Sequence, residues 1–332
     1  MNKQRKILSR IAAVMMACTM AVAATGCGAD KSNGTIAVIA KSKGVQFWDY
    51  VKKGAEDAGE ELNYKIDYFC PENETQVDAQ IDYIKKAINN KVKAIVVAPI
   101  DTNKLNDALR DADNAGISVI TIDSAAGYSG VDTFIGSDNT SAGSMAGREV
   151  TGMFENGNAK YAIIGTTESS AASNSRIEGF ENTLAEVSKA NKTGSFKNVS
   201  TQFCDGDQEK AKEQAKKVIA ENDDLDLIYA TNEKSTVGVC EAVDEAGKSG
   251  KIKVVGFNSN DAEVSYINSG TLTGTVIQAP YNMGYLGVRY ADNMQGGKKI
   301  FHNVDTGTTF VSKDNINDDE IQLLLYPMGK NK

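Results

Sequence analysis

The sequence predicts an α/β protein of two Rossmann-like parallel-sheet lobes, and three observations predict it. From Thr35 onward, short apolar runs alternate with amphipathic helical stretches. Strands alternating with helices make βαβ units and parallel sheets. The chain has 332 residues, and at about 150 residues per domain that length gives two domains rather than one. No flexible low-complexity linker divides it, so ordered crossovers must join the lobes.

The strands come first in this reading. Ile36 to Ala40, Ala94 to Ala98 and Val119 to Ile122 are compact apolar runs, as are Tyr161 to Ile164, Leu227 to Ala230, Ile252 to Phe257 and Thr275 to Ile277. Strands covered on both faces of a parallel sheet read as continuous apolar runs rather than alternating ones. Cys70 and Cys204 close two further apparent strands. Helical periods lie between. Val77, Ile81, Ile84 and Ile88 share one face, and Leu105, Ala108, Leu109 and Ala112 share another, with Asp101 or Thr102 placed to cap that second helix. Ala211, Ala215, Val218 and Ile219 form a third stripe behind Asp207, also a plausible cap. The pairs Ala58-Gly59, Ala115-Gly116 and Ala246-Gly247 suit helix ends, because Gly takes the left-handed position after the last turn. Gly143 and Gly147 fall in a helical stretch and read as packing residues.

Residues 1–26 read as an export signal. Ten basic-leaning residues precede an uncharged run, Ile11 to Ala24, of fourteen residues, short of the roughly 20 a membrane span needs. The run ends in Ala24-Thr25-Gly26-Cys27, which resembles a bacterial lipobox; the implied chemistry is a thioether-linked diacylglycerol on Cys27. Two acyl chains suffice for stable anchoring. Ala24 stands where the lipobox pattern prefers Leu. Residues 27–34 are then a polar tether. Processing leaves Cys70, Cys204 and Cys240, an odd set without a CxxC pair. Free core thiols are expected, with a Cys204–Cys240 bridge as the alternative.

The balance of 36 basic against 44 acidic residues is −8. Without the four basic residues of the leader it is 32 against 44, or −12. Such a surface repels phosphate backbones, so no nucleic-acid partner is expected. A single His, His302 in an apparent loop, argues against His-based catalysis or metal binding. No calcium loop of alternating Asp or Asn with a Gly and a late Glu is present, and neither metal nor cofactor is expected.

Open parallel sheets bind ligands beyond the carboxyl ends of their strands. Those ends carry Lys41, Ser42, Gln46, Phe47 and Trp48; Asp123 and Ser124; Glu168, Ser169, Ser170 and the more distant Arg176; Thr231, Asn232 and Glu233; Asn258 and Ser259; and Gln278. Planar Asp, Asn, Gln and Arg groups can hold pairs of hydroxyls, which both donate and accept. The apolar C–H face of a sugar ring stacks on Phe or Trp. This mixture suits a polyhydroxylated ligand held by Lys41, Phe47, Trp48, Asp123, Arg176, Asn232, Asn258 and Gln278. Asn232 also suits a helix N-cap.

These residues, in this order, resemble the type I periplasmic sugar-binding proteins of the ribose and galactose group. The resemblance runs from about Thr35 to Pro327. It is carried by GVQFWDYVKKGAEDAGEEL (44–62), VITIDS (119–124), SRIEGF (175–180), YATNEKSTVG (229–238), VVGFN (254–258) and QAPYNMGYLGV (278–288). It implies that Phe47 and Trp48 stack on a sugar and that Asp123, Arg176, Asn232 and Gln278 bond its hydroxyls. Three positions depart: Asn258 stands in place of Asp, Gly206 in place of a second stacking aromatic, and Ser124 in place of an Arg. Ribose itself is thereby put in doubt. The resemblance further implies a hinge of three crossovers near Ser137, Gln278 and Val304. Lobe 1 would be 35–137 plus 279–304, and lobe 2 would be 138–278 plus 305–327. Closure of such lobes over a ligand is a known behaviour of periplasmic binding proteins.

No Walker A run, GxGxxG after a strand, GxSxG elbow or HExxH is present, so an enzyme is not expected. A sugar-responsive repressor would carry a helix-turn-helix and a basic patch where this chain has its leader. The expectation is a monomeric, lipid-anchored extracytoplasmic protein that delivers a monosaccharide or related polyol to an ABC permease. A receptor for a sugar or for autoinducer-2, feeding a membrane sensor, is the alternative.

Overall fold

The computed structural model describes residues 32–154, 158–190 and 195–329. The leader and Cys27 lie outside the described residues. In chain order the first part runs β1 (Thr35–Ile39), α1 (Gln46–Glu61), β2 (Lys65–Phe69), α2 (Val77–Asn89), β3 (Ala94–Val97), α3 (Asn106–Asn114), β4 (Ser118–Ile122) and β5 (Thr133–Gly136). The second runs α4 (Asn139–Met153), β6 (Ala159–Gly165), α5 (Ala171–Ala190), β7 (Phe196–Phe203), α6 (Gln208–Glu221), β8 (Leu227–Ala230), α7 (Glu233–Glu245), β9 (Lys253–Phe257), α8 (Asp261–Ser269) and β10 (Gly274–Gln278). The chain then closes through α9 (Pro280–Gln295), β11 (Asn303–Asp305), β12 (Thr308–Ser312) and α10 (Asp319–Leu325).

Two six-stranded sheets result, one per lobe, in the orders β11-β5-β4-β3-β1-β2 and β12-β10-β9-β8-β6-β7. Every pairing is parallel except β10 with β12. The central strands β3 and β8 are buried along their whole length, as their unbroken apolar runs require. Helices cover both faces, so each sheet separates two apolar cores.

Each lobe holds helices that approach backbone to backbone. A Cβ on Gly54 of α1 would fall 2.0 Å from the Tyr281 carbonyl of α9, and one on Gly143 of α4 would fall 2.0 Å from the Arg176 carbonyl of α5. Only glycine permits that distance, which accounts for residues that cost a helix about 1 kcal/mol relative to Ala.

The chain changes sheets three times: after β5, after β10, and between β11 and β12. The crossings are bonded to one another. Ser137 donates to the Gln278 side-chain oxygen at 2.8 Å, and Asp305 accepts from the Gly307 amide at 2.9 Å and the Asp138 amide at 3.4 Å.

Two local readings need correction. Asp101 and Thr102 do not cap α3, whose N-cap is Leu105 without a side-chain bond. Asp101 instead accepts from the amides of Asn103 and Lys104, closing the turn before the helix, and the Thr102 hydroxyl donates to the Ser169 carbonyl of the other lobe. Gly59 does not end α1. The helix continues to Glu61 and the left-handed residue is Asn63 (φ 56°). A Cβ on Gly59 would fall 2.6 Å from Ile66, so the glycine is there for packing. Gly116 and Gly247 do take the left-handed position, and Asp207 caps α6 through the Lys210 amide. Cys70, Cys204 and Cys240 are free thiols, and burial raises the first two to about 11.

Candidate functional site

The carboxyl ends of both sheets face one narrow cleft, whose free space is about 30 Å³. Lobe 1 lines it with Lys41, Val45, Phe47, Trp48, Glu74 and Asp123. Lobe 2 lines it with Thr166, Ser170, Ala172, Ser173, Arg176, Asn232, Glu233 and Asn258.

The aromatic wall comes from the first turn of α1. Phe47 and Trp48 are both 5% exposed and meet edge to face, with centroids 4.8 Å apart. This T-shaped contact holds the two rings against each other.

The charged wall is centred on Asp123. Its backbone is left-handed (φ 61°), a conformation that Asp and Asn tolerate and other residues resist. The turn aims the carboxylate off the end of β4. Lys41 binds one oxygen at 2.6 Å, and Arg176 from the other lobe stands 3.7 Å from the second. Side-chain exposure is 4% for Lys41, 7% for Asp123 and 4% for Arg176. Charges so buried persist only with partners. Burial alone would raise the Asp123 carboxyl; Lys41 and then Arg176 outweigh it and hold the group below its ordinary value.

Besides Asp123, Arg176 is held from three sides. Its Nε donates to Asn139 at 2.8 Å, its Nη1 donates to the Thr231 carbonyl at 2.8 Å, and its guanidinium lies 3.7 Å over the Phe257 ring. Asn139 in turn donates to the Asp123 carbonyl at 3.2 Å. The remaining nitrogen, Nη2, is buried without a hydrogen-bond acceptor. A fixed, desolvated donor without an acceptor is suited to a ligand oxygen.

Asn258 ends β9 in the same left-handed way (φ 79°). Its Oδ1 accepts from the Gln278 amide at 2.7 Å. That leaves the Asn258 amide nitrogen to the cavity. Asn232 is both cavity lining and N-cap: its Oδ1 accepts from the Ser235 amide at 2.9 Å while the Ser235 hydroxyl accepts from the Asn232 amide at 3.1 Å.

Seven of the eight residues singled out in the sequence thus line one cavity. Gln278 is not among the lining residues; it stands between Asn258 and Ser137 at the crossovers. Glu233, mentioned among the strand-end residues but not singled out, also lines the cavity, and burial raises its carboxyl above the ordinary value. Sequence reasoning misses Glu74 altogether. It lies just past β2, lines the cavity and packs against Gly206, where a Cβ would fall 3.2 Å from the Glu74 Cβ. Burial raises its carboxyl above the ordinary value, with Lys41 opposing. Applying the carboxyl-end rule to the half-exposed strand β2 would have found it.

The cavity offers fixed hydroxyl-binding groups beside aromatic rings. Among the described residues no cluster of three or more His, Cys, Asp or Glu could hold a metal ion. No described helix is long and apolar enough to cross a membrane.

Two lobes with mostly parallel sheets, three crossovers and a cleft between the carboxyl ends of both sheets define a type I periplasmic binding protein. The chain belongs to the periplasmic binding protein domain family, whose model matches residues 36–299. It is similar to the D-allose-binding periplasmic protein of Escherichia coli (28% identical, covering 90% of this chain and 94% of that protein). The ribose import binding protein RbsB of Bacillus subtilis is 27% identical over 82% of this chain and 85% of its own length. Among solved structures, a carbohydrate transporter solute binding protein from Agrobacterium radiobacter in complex with D-arabinose has a TM-score of 0.83 at 30% identity, covering 89% of this chain and 99% of that one. An ABC transporter solute binding protein from Agrobacterium vitis with bound D-fucose has a TM-score of 0.83 at 31% identity, covering 88% and 100%.

Proposed function

We propose that this is a lipid-anchored extracytoplasmic solute-binding protein that captures a monosaccharide or related polyol in the interlobe cleft and delivers it to an ABC permease. One observation carries the reading: the interlobe cleft sets the Phe47–Trp48 pair beside Asp123, Lys41 and an Arg176 nitrogen that lacks an acceptor. In this reading a sugar ring stacks on the aromatics, Asp123 accepts from its hydroxyls, and Arg176, Lys41, Asn232 and Asn258 donate. Gln278 acts one step back, by holding Asn258. The cavity charges nearly balance, which favours a neutral ligand over a sugar acid or phosphate.

The sugars bound by the relatives agree with this class. The lobes are 35–137 plus 279–304 and 138–278 plus 305–327, and they open and close about the three crossovers. Diacylglycerol on Cys27 holds the monomer at the membrane. The protein catalyses nothing and needs neither metal nor cofactor.

A thermal-shift panel of pentoses, hexoses, polyols and autoinducer-2 tests the ligand class. At a hundredfold excess over Kd, a bound sugar stabilises the native state by about 2.7 kcal/mol. If every sugar and polyol leaves the melting point unmoved, the reading fails. Incorporation of a palmitate analogue, abolished in Cys27→Ala, tests the anchor.

A further inference from the structure

Helix α1 carries the aromatic pair, yet it begins without a cap of its own. Its N-cap is Val45, in the extended conformation a cap requires (φ −127°, ψ 118°) but with no side-chain oxygen to offer. The first amides of a helix have no acceptor within it. Those of Gln46 and Phe47 find theirs in the opposite lobe, donating to the two carboxylate oxygens of Glu233 at 3.2 and 3.3 Å. Glu233 is itself held by the Asn260 amide at 3.1 Å and is 5% exposed. A buried carboxylate on the N-terminus of a helix is a charge-assisted and dipole-favoured contact.

We infer that Glu233 is an interlobe positioning residue that caps α1 only in the closed state, and so couples lobe closure to the setting of Phe47 and Trp48. When the lobes part, the two amides and the carboxylate return to water. The contact therefore belongs to one of the two states, which is what lets it bias the equilibrium between them. The inference rests on the two-lobe closure of the reading above but not on the identity of the ligand.

The flank of the cleft supplies a test that uses no sugar. Thr102 and Ser169 touch across it, amide to carbonyl, at 3.3 Å. In the full chain carrying Thr102→Cys and Ser169→Cys, the rate of oxidative trapping reads how often the lobes close, even if closure is rare. Loss of charge-assisted bonds is expected to slow trapping about tenfold in Glu233→Ala, and by less in the near-isosteric Glu233→Gln, which retains one acceptor. In the trapped protein, where closure is enforced, hydrogen exchange at the Gln46 and Phe47 amides should be protected with Glu233 and fast with Glu233→Ala. Unchanged trapping in both variants, or unchanged amide protection in the trapped Ala variant, overturns the inference. A failed sugar panel would overturn the ligand reading and leave this result standing.

Discussion

Two helices open onto the cleft from opposite lobes, and they satisfy the same need differently. Helix α7 caps itself: Asn232 and Ser235 exchange bonds in a complete capping box that does not depend on the other lobe. Helix α1 starts at Val45 and meets its acceptor in Glu233 of the opposite lobe. The wall that lobe 2 presents is thus preorganised, while the aromatic wall of lobe 1 is completed by closure. The strand ends show the same asymmetry. Asn258 is held within its own neighbourhood by Gln278, whereas Asp123 takes one cation from its own lobe and one from the other. Specific placement is built into one lobe, and dependence on closure into the other.

The largest effect should come from breaking the charged group that both lobes share. Asp123→Ala leaves Lys41 and Arg176 buried without their carboxylate. For any sugar that raises the melting point, calorimetric titration should show an affinity loss of about 1.5–3 kcal/mol, roughly ten- to hundredfold. Unchanged affinity would place Asp123 outside the site. The pH sign follows from the depressed value: folding stability from this carboxylate is present above the unfolded value near 3.9 and is lost as pH falls through the folded one.

Glu263, on the first turn of α8, carries the opposite sign. It is fully buried, and burial, with Glu233 adding, raises its carboxyl well above the ordinary value. The folded state then holds its proton longer than the unfolded chain. Stability is greatest below the unfolded value near 4.3 and declines as pH rises toward the folded one. Glu263→Gln should remove that decline, so that the variant melts above the native protein at pH 8 and with it near pH 4. A lower melting point for the variant at pH 8 would show that the ionised group is accommodated after all.

How much of this was legible depended on which side of a sheet a residue occupied. Central strands declare themselves because burial on both faces demands unbroken apolar runs, as in Ala94 to Val97. The edge strands β2 and β7 are half-exposed and read poorly. Glu74 escapes although its strand does not: Cys70 marks the end of β2, but Glu74 lies in the loop beyond it, away from the residue that closes the strand. Asp123, Arg176 and Asn258 could be found because they follow central strands or carry a chemistry that stands out among small polar neighbours. The Glu233 contact could not be found, since its partners are backbone amides 186 and 187 positions away and no residue pattern marks them. Gly59 misled because a packing glycine near a helix end looks like a terminating one.

A smaller effect should separate the two helix starts. Asn232→Ala removes the cap of α7, which costs about 1 kcal/mol in open and closed forms alike. Thermal unfolding should register it, and trapping in the chain carrying Thr102→Cys and Ser169→Cys should change less than in Glu233→Ala. A trapping rate as slow as in Glu233→Ala would mean that the α7 cap, too, depends on closure.

The smallest effect is the most discriminating. Val45→Thr keeps the shape of the side chain and gives α1 an acceptor of its own, in the extended backbone that an N-cap uses. In the open state the new hydroxyl can accept from the Phe47 amide, which otherwise faces water. In the closed state that amide already has Glu233. The substitution therefore stabilises the open form more than the closed one. The difference is set by one neutral bond, about 0.5–1.5 kcal/mol, less the cost of burying a hydroxyl beside the cavity. Global stability should move by only a few tenths of a kcal/mol. Trapping should slow by less than in Glu233→Ala, and adding Glu233→Ala to Val45→Thr should slow it by less than the same change does in the native background. If the two substitutions act independently on trapping, α1 does not owe its start to the other lobe, and the asymmetry between the two helices is one of sequence without consequence for closure.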